Sequence, residues 1–183
     1  YFDQENSRPD RNEYVRRAWH GLGRPNQTHL EQHCWPRHFA LGDKDWHKRA
    51  AEYVIAIRPA LIVFDTATPC CAITDENDNA EASRVIGHFH QLQQLCAPPA
   101  TVLVLKHTKR LLDGTLDMRG AKTWKNEADS VLLLTRLKKR PDGLANTRLE
   151  AVKSRAFGLG CTLTIRPTWT DHNKGLRLDL SAE

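Results

Sequence analysis

Three side chains of this sequence, Glu5, Asp65 and His107, are of the kinds that activate water and hold a metal ion. One carboxylate can hold a divalent cation through water, and a second can take a proton from an attacking water. A neighbouring polar group can then sense the reacting charge. This combination suits phosphoryl transfer, in which a protein positions a metal and a nucleophile and does little covalent work. Because the three are far apart in the sequence, strands and helices must bring them together.

Each of these side chains follows a segment that is typical of a strand. Residues 60–64 (ALIVF) end at Asp65, residues 101–105 (TVLVL) lead to His107, and residues 1–3 read as a strand remnant before Glu5. Continuous apolar runs predict strands that are buried on both faces of a sheet. The carboxyl ends of parallel strands meet at one edge, so we expect the three side chains to lie together there. For Asp65 an alternative stays open, a solvated acid that opens the following loop.

Helical periodicity fills the segments between the strands. Asp43 or Asp45 can cap a helix that runs to about Ile57, and residues 80–96 are the clearest helix of the chain. A shorter amphipathic helix is predicted over residues 13–22, with Tyr14, Ala18 and Leu22 on one face. Two buried strands joined by one helix make a right-handed βαβ unit, so we expect a parallel sheet.

The pattern changes towards the C-terminus. Residues 130–134 predict a third apolar strand, after which apolar and polar residues alternate in three further segments, 148–152, 161–165 and 176–180. Turn-forming residues separate these segments, which predicts an antiparallel meander with one solvated face.

Composition limits the class of protein. The chain has 183 residues, 40% apolar and 27% charged, as in a single soluble domain with a sizeable core. A net charge of +5 is compatible with a polyanionic partner. No apolar run reaches the length of a membrane span, so we expect no membrane association. Five cysteines, an odd count, argue against a disulfide framework and favour a reducing, cytoplasmic location.

Two further groups of residues could bind ligands. The predicted long loop over residues 109–126 carries five cations and an interleaved aromatic, Trp124, which suits single-stranded nucleic acid as well as a plain solvated loop. The cations are Lys109, Arg110, Arg119, Lys122 and Lys125. A cluster of His29, His33, Cys34 and His38 has metal-binding residue types, but no second ligand pair lies nearby in the sequence, so we do not expect a metal site there.

Taken in order, the motifs resemble the RecA-like P-loop ATPases of the AAA_25 type, similar to hexameric plasmid replicative helicases and to ATPases encoded beside primases in mobile elements. The motifs are Glu5-Asn6-Ser7, Asp65-Thr66, Lys106-His107, Arg119-Gly120, Ala128-Asp129, Lys153-Ser154-Arg155 and Gly158. The resemblance implies an α/β fold over residues 1–183 as a single domain. Its RecA-like, mostly parallel sheet would be sandwiched by helices, with antiparallel strands at the C-terminal end.

The resemblance also implies roles in a nucleotide site. Asp65 matches the Walker B acid that holds Mg²⁺ through water, with Thr66 beside it in the site for ATP. Glu5 matches the glutamate that polarises the attacking water, and His107 matches the polar sensor of the γ-phosphate.

Further roles follow for the basic residues. Lys153 and Arg155 match a pair of fingers that reach the nucleotide of a neighbouring subunit, which implies a homo-oligomeric ring. Arg119 matches an arginine that faces the ring channel or the subunit interface.

One element of the family is absent. The sequence contains no phosphate-binding loop of the form G-x-x-x-x-G-K-[ST], which would precede Tyr1 in a longer protein. We therefore expect an N-terminally truncated ATPase that binds ATP weakly or not at all as this chain alone. The expected function is an ATP-dependent motor or switch on DNA, such as a replicative helicase or helicase loader of a plasmid, phage or mobile element.

Two alternatives stay open. The chain could be a non-catalytic nucleic-acid-binding or assembly module that retains the RecA-like shell. A metal-dependent phosphoesterase using Glu5, Asp65 and His107 is weaker, since it would require a denser set of metal ligands.

Overall fold

A computed structural model describes residues 1–21, 23, 33–34, 39–113, 115–155, 161–170 and 175–182. Contacts between these residues divide the chain into two compact units. Unit 1 consists of Tyr1–Ser7 and Leu30–Glu127, and unit 2 of Arg8–His29 and Ala128–Glu183.

Unit 1 contains a four-stranded sheet in the order β2-β1-β3-β4. The strands are β1 (Phe2–Asp3), β2 (His33–Cys34), β3 (Leu61–Asp65) and β4 (Thr101–Val104), and every neighbouring pair is parallel. The parallel pairing of β3 with β4, joined by a helical connection over residues 66–100, confirms the predicted βαβ unit. The α/β class of the chain is likewise confirmed.

Three helices follow the strands of this sheet: α2 (Lys44–Ile57), the short α3 (Ala67–Cys71) and α4 (Asn79–Gln94). The Asp43 carboxylate caps α2 by accepting hydrogen bonds from two backbone N–H groups, as predicted. Asp78 caps α4 in the same way. α3 was not predicted, because a helix of five residues is too short to show periodicity.

The core of unit 1 lies on one face of the sheet. Phe64 is fully buried. Its ring stacks on Phe2 at 4.9 Å between ring centroids and lies tilted against Phe89 of α4 at 4.6 Å. On the opposite face Leu61 is 50% exposed and Leu103 is 45% exposed, so the prediction of strands buried on both faces was wrong. The reason is topological. From β2 to β3 and from β3 to β4 the chain moves in the same direction across the sheet, so right-handed crossovers place α2 and α4 on the same side.

The predicted long loop over residues 109–126 is also corrected. It contains a hairpin of β5 (Thr108–Arg110) and β6 (Leu116–Met118), followed by α5 (Lys122–Glu127). Near the hairpin tip Asp113 Oδ1 accepts hydrogen bonds from the backbone and the hydroxyl of Thr115, a local turn that sequence periodicity does not reveal.

Unit 2 contains α1 (Arg8–Gly21) and an antiparallel sheet in the order β10-β9-β8-β7. Its strands are β7 (Ser130–Lys139), β8 (Ala145–Ser154), β9 (Thr162–Thr170) and β10 (Gly175–Ala182), which confirms the predicted meander. β7 extends beyond residues 130–134 and pairs antiparallel with β8. In α1 the predicted apolar face was wrong, because Tyr14 and Ala18 are both exposed. Leu22 lies outside the described residues.

Within the described part of the chain, no helix has both the length and the apolar composition needed to cross a lipid bilayer. The four cysteines whose side chains are described are all free thiols, with Cys70, Cys71 and Cys96 buried and Cys161 exposed.

Candidate functional site

The carboxyl ends of the strands in unit 1 form the candidate site. β1 and β3 end side by side, with Asp3 in register with Asp65, so the first acid of the site lies beside the second. His107 follows β4, the next strand of the sheet. We call the group Asp3, Glu5, Asp65, Thr66 and His107 the acidic edge.

Asp3 shapes the turn that presents Glu5. It is 1% exposed, and its Oδ1 atom accepts hydrogen bonds from the backbone N–H groups of Glu5 at 3.0 Å and Asn6 at 2.9 Å. These contacts satisfy the buried carboxylate and fix the backbone of the turn. Asp3 was missed at the sequence level because a strand of two residues offers no periodicity from which to assign its burial.

Glu5 contacts two residues that follow β3 and β4. Its Oε1 atom accepts a hydrogen bond of 2.8 Å from the Thr66 hydroxyl and lies 3.1 Å from Nε2 of His107. A carboxylate only accepts, so this contact requires His107 to carry a proton on Nε2. The side chain of His107 is 59% exposed and that of Glu5 36%, which leaves both open to solvent and ligand. The expected meeting of Glu5, Asp65 and His107 is therefore confirmed.

Asp65 lies in an environment that disfavours its charge. Partial burial raises the pKa of Asp65, and the nearby carboxylates of Asp3 and Glu5 raise it further, against the opposing effects of a hydrogen bond from Tyr1 and of His107. The Tyr1 hydroxyl donates to Oδ2 of Asp65. The neighbouring carboxylates of Asp3, Glu5 and Asp65 together favour the binding of a cation or a proton donor.

The carboxylates of the acidic edge could hold a metal ion that takes few protein ligands. Among the described residues no group of three His, Cys, Asp or Glu side chains converges to hold a metal ion. Mg²⁺, however, usually keeps several waters and takes one or two carboxylates together with substrate phosphates. Asp65 suits that role. The alternative of a phosphoesterase would need a set of three or more metal-binding side chains, and the described residues contain none.

The predicted histidine–cysteine cluster consists of His29, His33, Cys34 and His38. His29, His38 and the side chains of His33 and Cys34 lie outside the described residues.

A second acid, Glu76, connects the site to the cationic segment that follows it. Its Oε1 accepts a hydrogen bond of 2.6 Å from the hydroxyl of Thr68, and its Oε2 lies 2.6 Å from Nε of Arg119. These contacts lower the pKa of Glu76, with the Thr68 hydrogen bond the largest cause. Arg119 also donates its backbone N–H to the carbonyl of His107 at 3.0 Å. The sequence did not identify Glu76, since the loop around it has no motif.

The five predicted cations are all exposed in unit 1: Lys109, Arg110, Arg119, Lys122 and Lys125. They form what we call the basic strip. One part of the prediction was wrong. Trp124 is only 6% exposed and lies under the Lys106 ammonium, 4.4 Å from the ring centroid, so it is not available to stack on bases. Its apolar ring anchors α5 in the core instead.

Lys153 and Arg155, the two residues predicted to act as fingers, both belong to unit 2. Lys153 lies on β8, and Arg155 comes directly after that strand. The Arg155 guanidinium is 3.0 Å from Asp129, and the backbone N–H of Arg155 donates to the carbonyl of the same residue at 2.8 Å. Arg155 therefore holds the end of β8 against the start of β7.

Comparison with known proteins does not assign this chain to a family. No protein-family model matches it, and no curated protein matches it. The fold and the site together define the class, an α/β protein with a carboxylate cluster at the carboxyl edge of a parallel sheet.

Proposed function

We propose that unit 1 supplies the metal-holding and water-activating half of an ATP-hydrolysing site in a RecA-like motor or switch that acts on DNA. The observation that carries this proposal is the convergence of Glu5, Thr66 and His107 at one carboxylate oxygen beside Asp65. The carboxyl edge of a parallel sheet is where open α/β folds bind their ligands.

The contacts of Glu5 suit a base that orients water. Its Oε1 is engaged by Thr66 and His107, while its Oε2 accepts no hydrogen bond from the described residues. A carboxylate fixed through one oxygen can direct the other towards a water and take its proton. His107, bound to the same carboxylate, is placed to respond when that proton arrives.

Asp65 and Thr66 complete this half of the site. Mg²⁺ bound with ATP would neutralise charge on the phosphates. One oxygen of Asp65 is engaged by Tyr1, which orients the carboxylate so that its other oxygen can hold a metal-bound water. Burial and, to a smaller extent, the neighbouring Asp3 and Glu5 carboxylates raise the pKa of Asp65, and a bound cation would offset these unfavourable effects on its charge.

The phosphate-holding half must come from outside residues 1–183, in the same polypeptide or in a second chain. Among the described strands β4 pairs with β3 alone, so one of its edges is open. Thr101 and Leu105 direct their N–H groups to β3, so the alternate residues Val102 and Val104 direct theirs to the open edge. The exposed face carrying Leu61 and Leu103 borders this edge. The strand that precedes a phosphate loop would pair with this edge, and the helix that follows the loop would cover the face.

Assembly into a homo-oligomeric ring forms part of the proposal. Lys153 and Arg155 would act on the nucleotide of a neighbouring subunit. For Arg155 this requires exchanging the Asp129 carboxylate for phosphate oxygens. A guanidinium can bind either group through two parallel N–H···O hydrogen bonds. The basic strip would contact the phosphates of single-stranded DNA.

Hydrolysis of ATP tests the proposal in a polypeptide that joins residues 1–183 to a phosphate-binding strand, loop and helix. Glu5→Gln should lower kcat by at least about 100-fold with ATP binding kept, because it removes the proton acceptor. Asp65→Asn should weaken Mg²⁺-dependent ATP binding. Glu52→Gln, an exposed change on α2, is the matched control. Hydrolysis by Glu5→Gln at the rate of the control would overturn the assignment.

A non-catalytic nucleic-acid-binding or assembly module is the second candidate. It is favoured by the absence of a phosphate loop from the 183 residues and by the exposure of all five cations of the basic strip. Binding of single-stranded DNA that is indifferent to ATP, in a polypeptide without a Gly-Lys-Ser/Thr loop, would support this module.

A further inference from the structure

One face of the sheet in unit 2 is almost entirely apolar. In the pairing of β7 to β10, residues in direct register share a face, so Leu134 lies with Leu149 and Leu163, and Ile165 with Leu180. Thr147 and Arg136 are the polar residues of this face in the continuous register. We call it the leucine face; its other members are Leu132, Ala151, Pro167, Trp169, Leu176, Leu178 and Ala182.

The leucine face is largely open to solvent. Leu132 is 51% exposed, Leu134 58%, Leu178 56% and Leu180 64%. An apolar sheet face normally lies against another layer of secondary structure, and contiguous exposed apolar patches mark interaction sites. The exposure of this face therefore marks it as an interaction surface.

One helix of unit 2 packs at the β10 edge of this sheet. α1 packs against β10 and β9, and the Arg17 guanidinium lies over the Trp169 ring, 5.4 Å from its centroid. The Cβ atom of an alanine at Gly21 would lie 2.0 Å from the carbonyl oxygen of Leu176, so helix and strand approach closely there. Trp169 belongs to the leucine face, so α1 reaches one corner of this face and leaves Leu178 and Leu180 exposed. The element that unit 2 itself packs at that corner is a helix.

Beside that region lies a shallow groove of about 350 Å³, lined by Leu134, Arg136, Leu144, Thr147, Pro167 and Leu176. Arg136 is exposed and makes no ion pair among the described residues. The nearest turn carries Asp142, but this carboxylate is already engaged by Arg140 at 2.7 Å. Lys138 and Lys139 follow on β7, so this corner is cationic and lacks an available acid.

We propose that the leucine face binds an amphipathic helix of a partner protein, with leucine-type residues against the face and an Asp or Glu at the edge of the stripe against Arg136. Charge complementarity favours this occupant over a second copy of the chain, because the leucine face carries Arg136 and no acid in its continuous register, so two copies packed face to face would leave Arg136 without a carboxylate partner. Helices laid into apolar grooves are a common mode of recognition.

Binding of two matched peptides to the whole chain tests the proposal. The probes are fluorescein-labelled amphipathic helices of about 18 residues, about 27 Å long, identical except for Glu or Lys at the edge of the leucine stripe. We expect the Glu peptide to bind more tightly than the Lys peptide in fluorescence anisotropy. Arg136→Glu should reverse this preference.

Substitutions on the leucine face provide the second arm. Leu134→Gln and Leu178→Gln should each weaken binding of the Glu peptide by about tenfold, and since both side chains are exposed these variants should fold. Leu112→Gln, an exposed leucine of the hairpin in unit 1, is the control and should bind like the parent chain. Absence of peptide binding, equal binding of both peptides, or an equal effect of Leu112→Gln would overturn the proposal. Concentration-dependent dimerisation that Leu134→Gln abolishes would show a second copy as the occupant and would also overturn it.

Discussion

Oε1 of Glu5 lies 3.1 Å from Nε2 of His107, although 102 positions separate the two residues in the chain. The same oxygen accepts a hydrogen bond from Thr66 at 2.8 Å. One carboxylate oxygen thus joins the segments that follow β1, β3 and β4. A displacement of any one of these segments therefore alters its contact with the other two. Such coupling is expected where ligand binding and chemistry are linked.

Asp65→Asn should stabilise the chain at neutral pH. Burial raises the pKa of Asp65 above its ordinary value of 3.8, so the folded state binds this proton more tightly than the unfolded state does. Its contribution to stability is present below that ordinary value and is lost as pH rises through the raised pKa. The gain from Asp65→Asn, measured by urea denaturation, should be largest near pH 7 and shrink towards pH 4. A gain that does not depend on pH would contradict the assigned cause.

Glu76→Ala should destabilise the chain by about 1–2 kcal/mol, because the hydroxyl of Thr68 and the guanidinium of Arg119 both lose their acceptor. Arg119 is 58% exposed, so the ion pair contributes only the smaller part. Glu76→Gln keeps an acceptor for Thr68 and should cost less. Glu52→Ala on α2, where Lys48 is 3.9 Å away, is the control. An equal loss in both alanine variants would remove any special role for Glu76.

Single-stranded DNA should bind the basic strip in a salt-dependent manner. Each phosphate contact contributes a slope of about 0.7 in the logarithm of affinity against the logarithm of salt concentration. The double change Lys109→Gln with Arg110→Gln should therefore reduce the slope by about 1.4. Lys44→Gln with Lys48→Gln, two exposed lysines of α2, should leave it unchanged. Fluorescence anisotropy at several salt concentrations measures both, and equal slopes would place the DNA elsewhere.

Gly120→Ala should be more harmful than Gly143→Ala, although both glycines have positive φ, +100° and +81°. At Gly120 an added Cβ would lie 2.5 Å from the Glu76 carbonyl oxygen, while at Gly143 nothing lies within 4 Å. Gly143→Ala should lose about 1–2 kcal/mol from backbone strain alone, and Gly120→Ala about 1–3 kcal/mol more from the clash. Calorimetry compares their Tm values. Similar losses would show that the segment after β6 can move away from Glu76.

Acid should weaken the packing of α2 against α4. The rings of His47 and His88 lie 4.8 Å apart, and burial, followed by the proximity of His88, lowers the pKa of His47. A lowered His pKa gives stability that is complete above the ordinary value of 6.5 and is lost as pH falls below it. His47→Gln should flatten the decline in Tm between pH 7.5 and 5.5. His90→Gln, an exposed histidine of α4, should not.

Long periodic segments of this fold could be predicted from the sequence, and short or locally determined ones could not. α2 and α4 show their apolar stripes and capping acids, and β3 and β4 their apolar runs. α3 and the hairpin of β5 and β6 depend on turn contacts such as that of Asp113 with Thr115. The exposure of Leu61 could not be predicted, because it follows from the direction of two crossovers and not from the composition of β3.

For the site, residue type at the end of a strand was informative. Glu5, Asp65 and His107 meet as predicted because parallel strands bring their carboxyl ends to one edge. Asp3 and Glu76 were missed, since their importance arises from contacts with residues distant in the sequence. The roles of the three predicted residues in catalysis stay predictions.

All fully buried hydrophobic side chains among the described residues lie in unit 1, and in the described part of unit 2 only Gly175 is fully buried. Local opening is governed by how much buried apolar contact must be broken. Amide hydrogens of β7 to β10 should therefore exchange with solvent long before those of β3, and a protease should cut this sheet first. Slower exchange of the same amide hydrogens in a cell extract would then indicate that a partner has bound the leucine face.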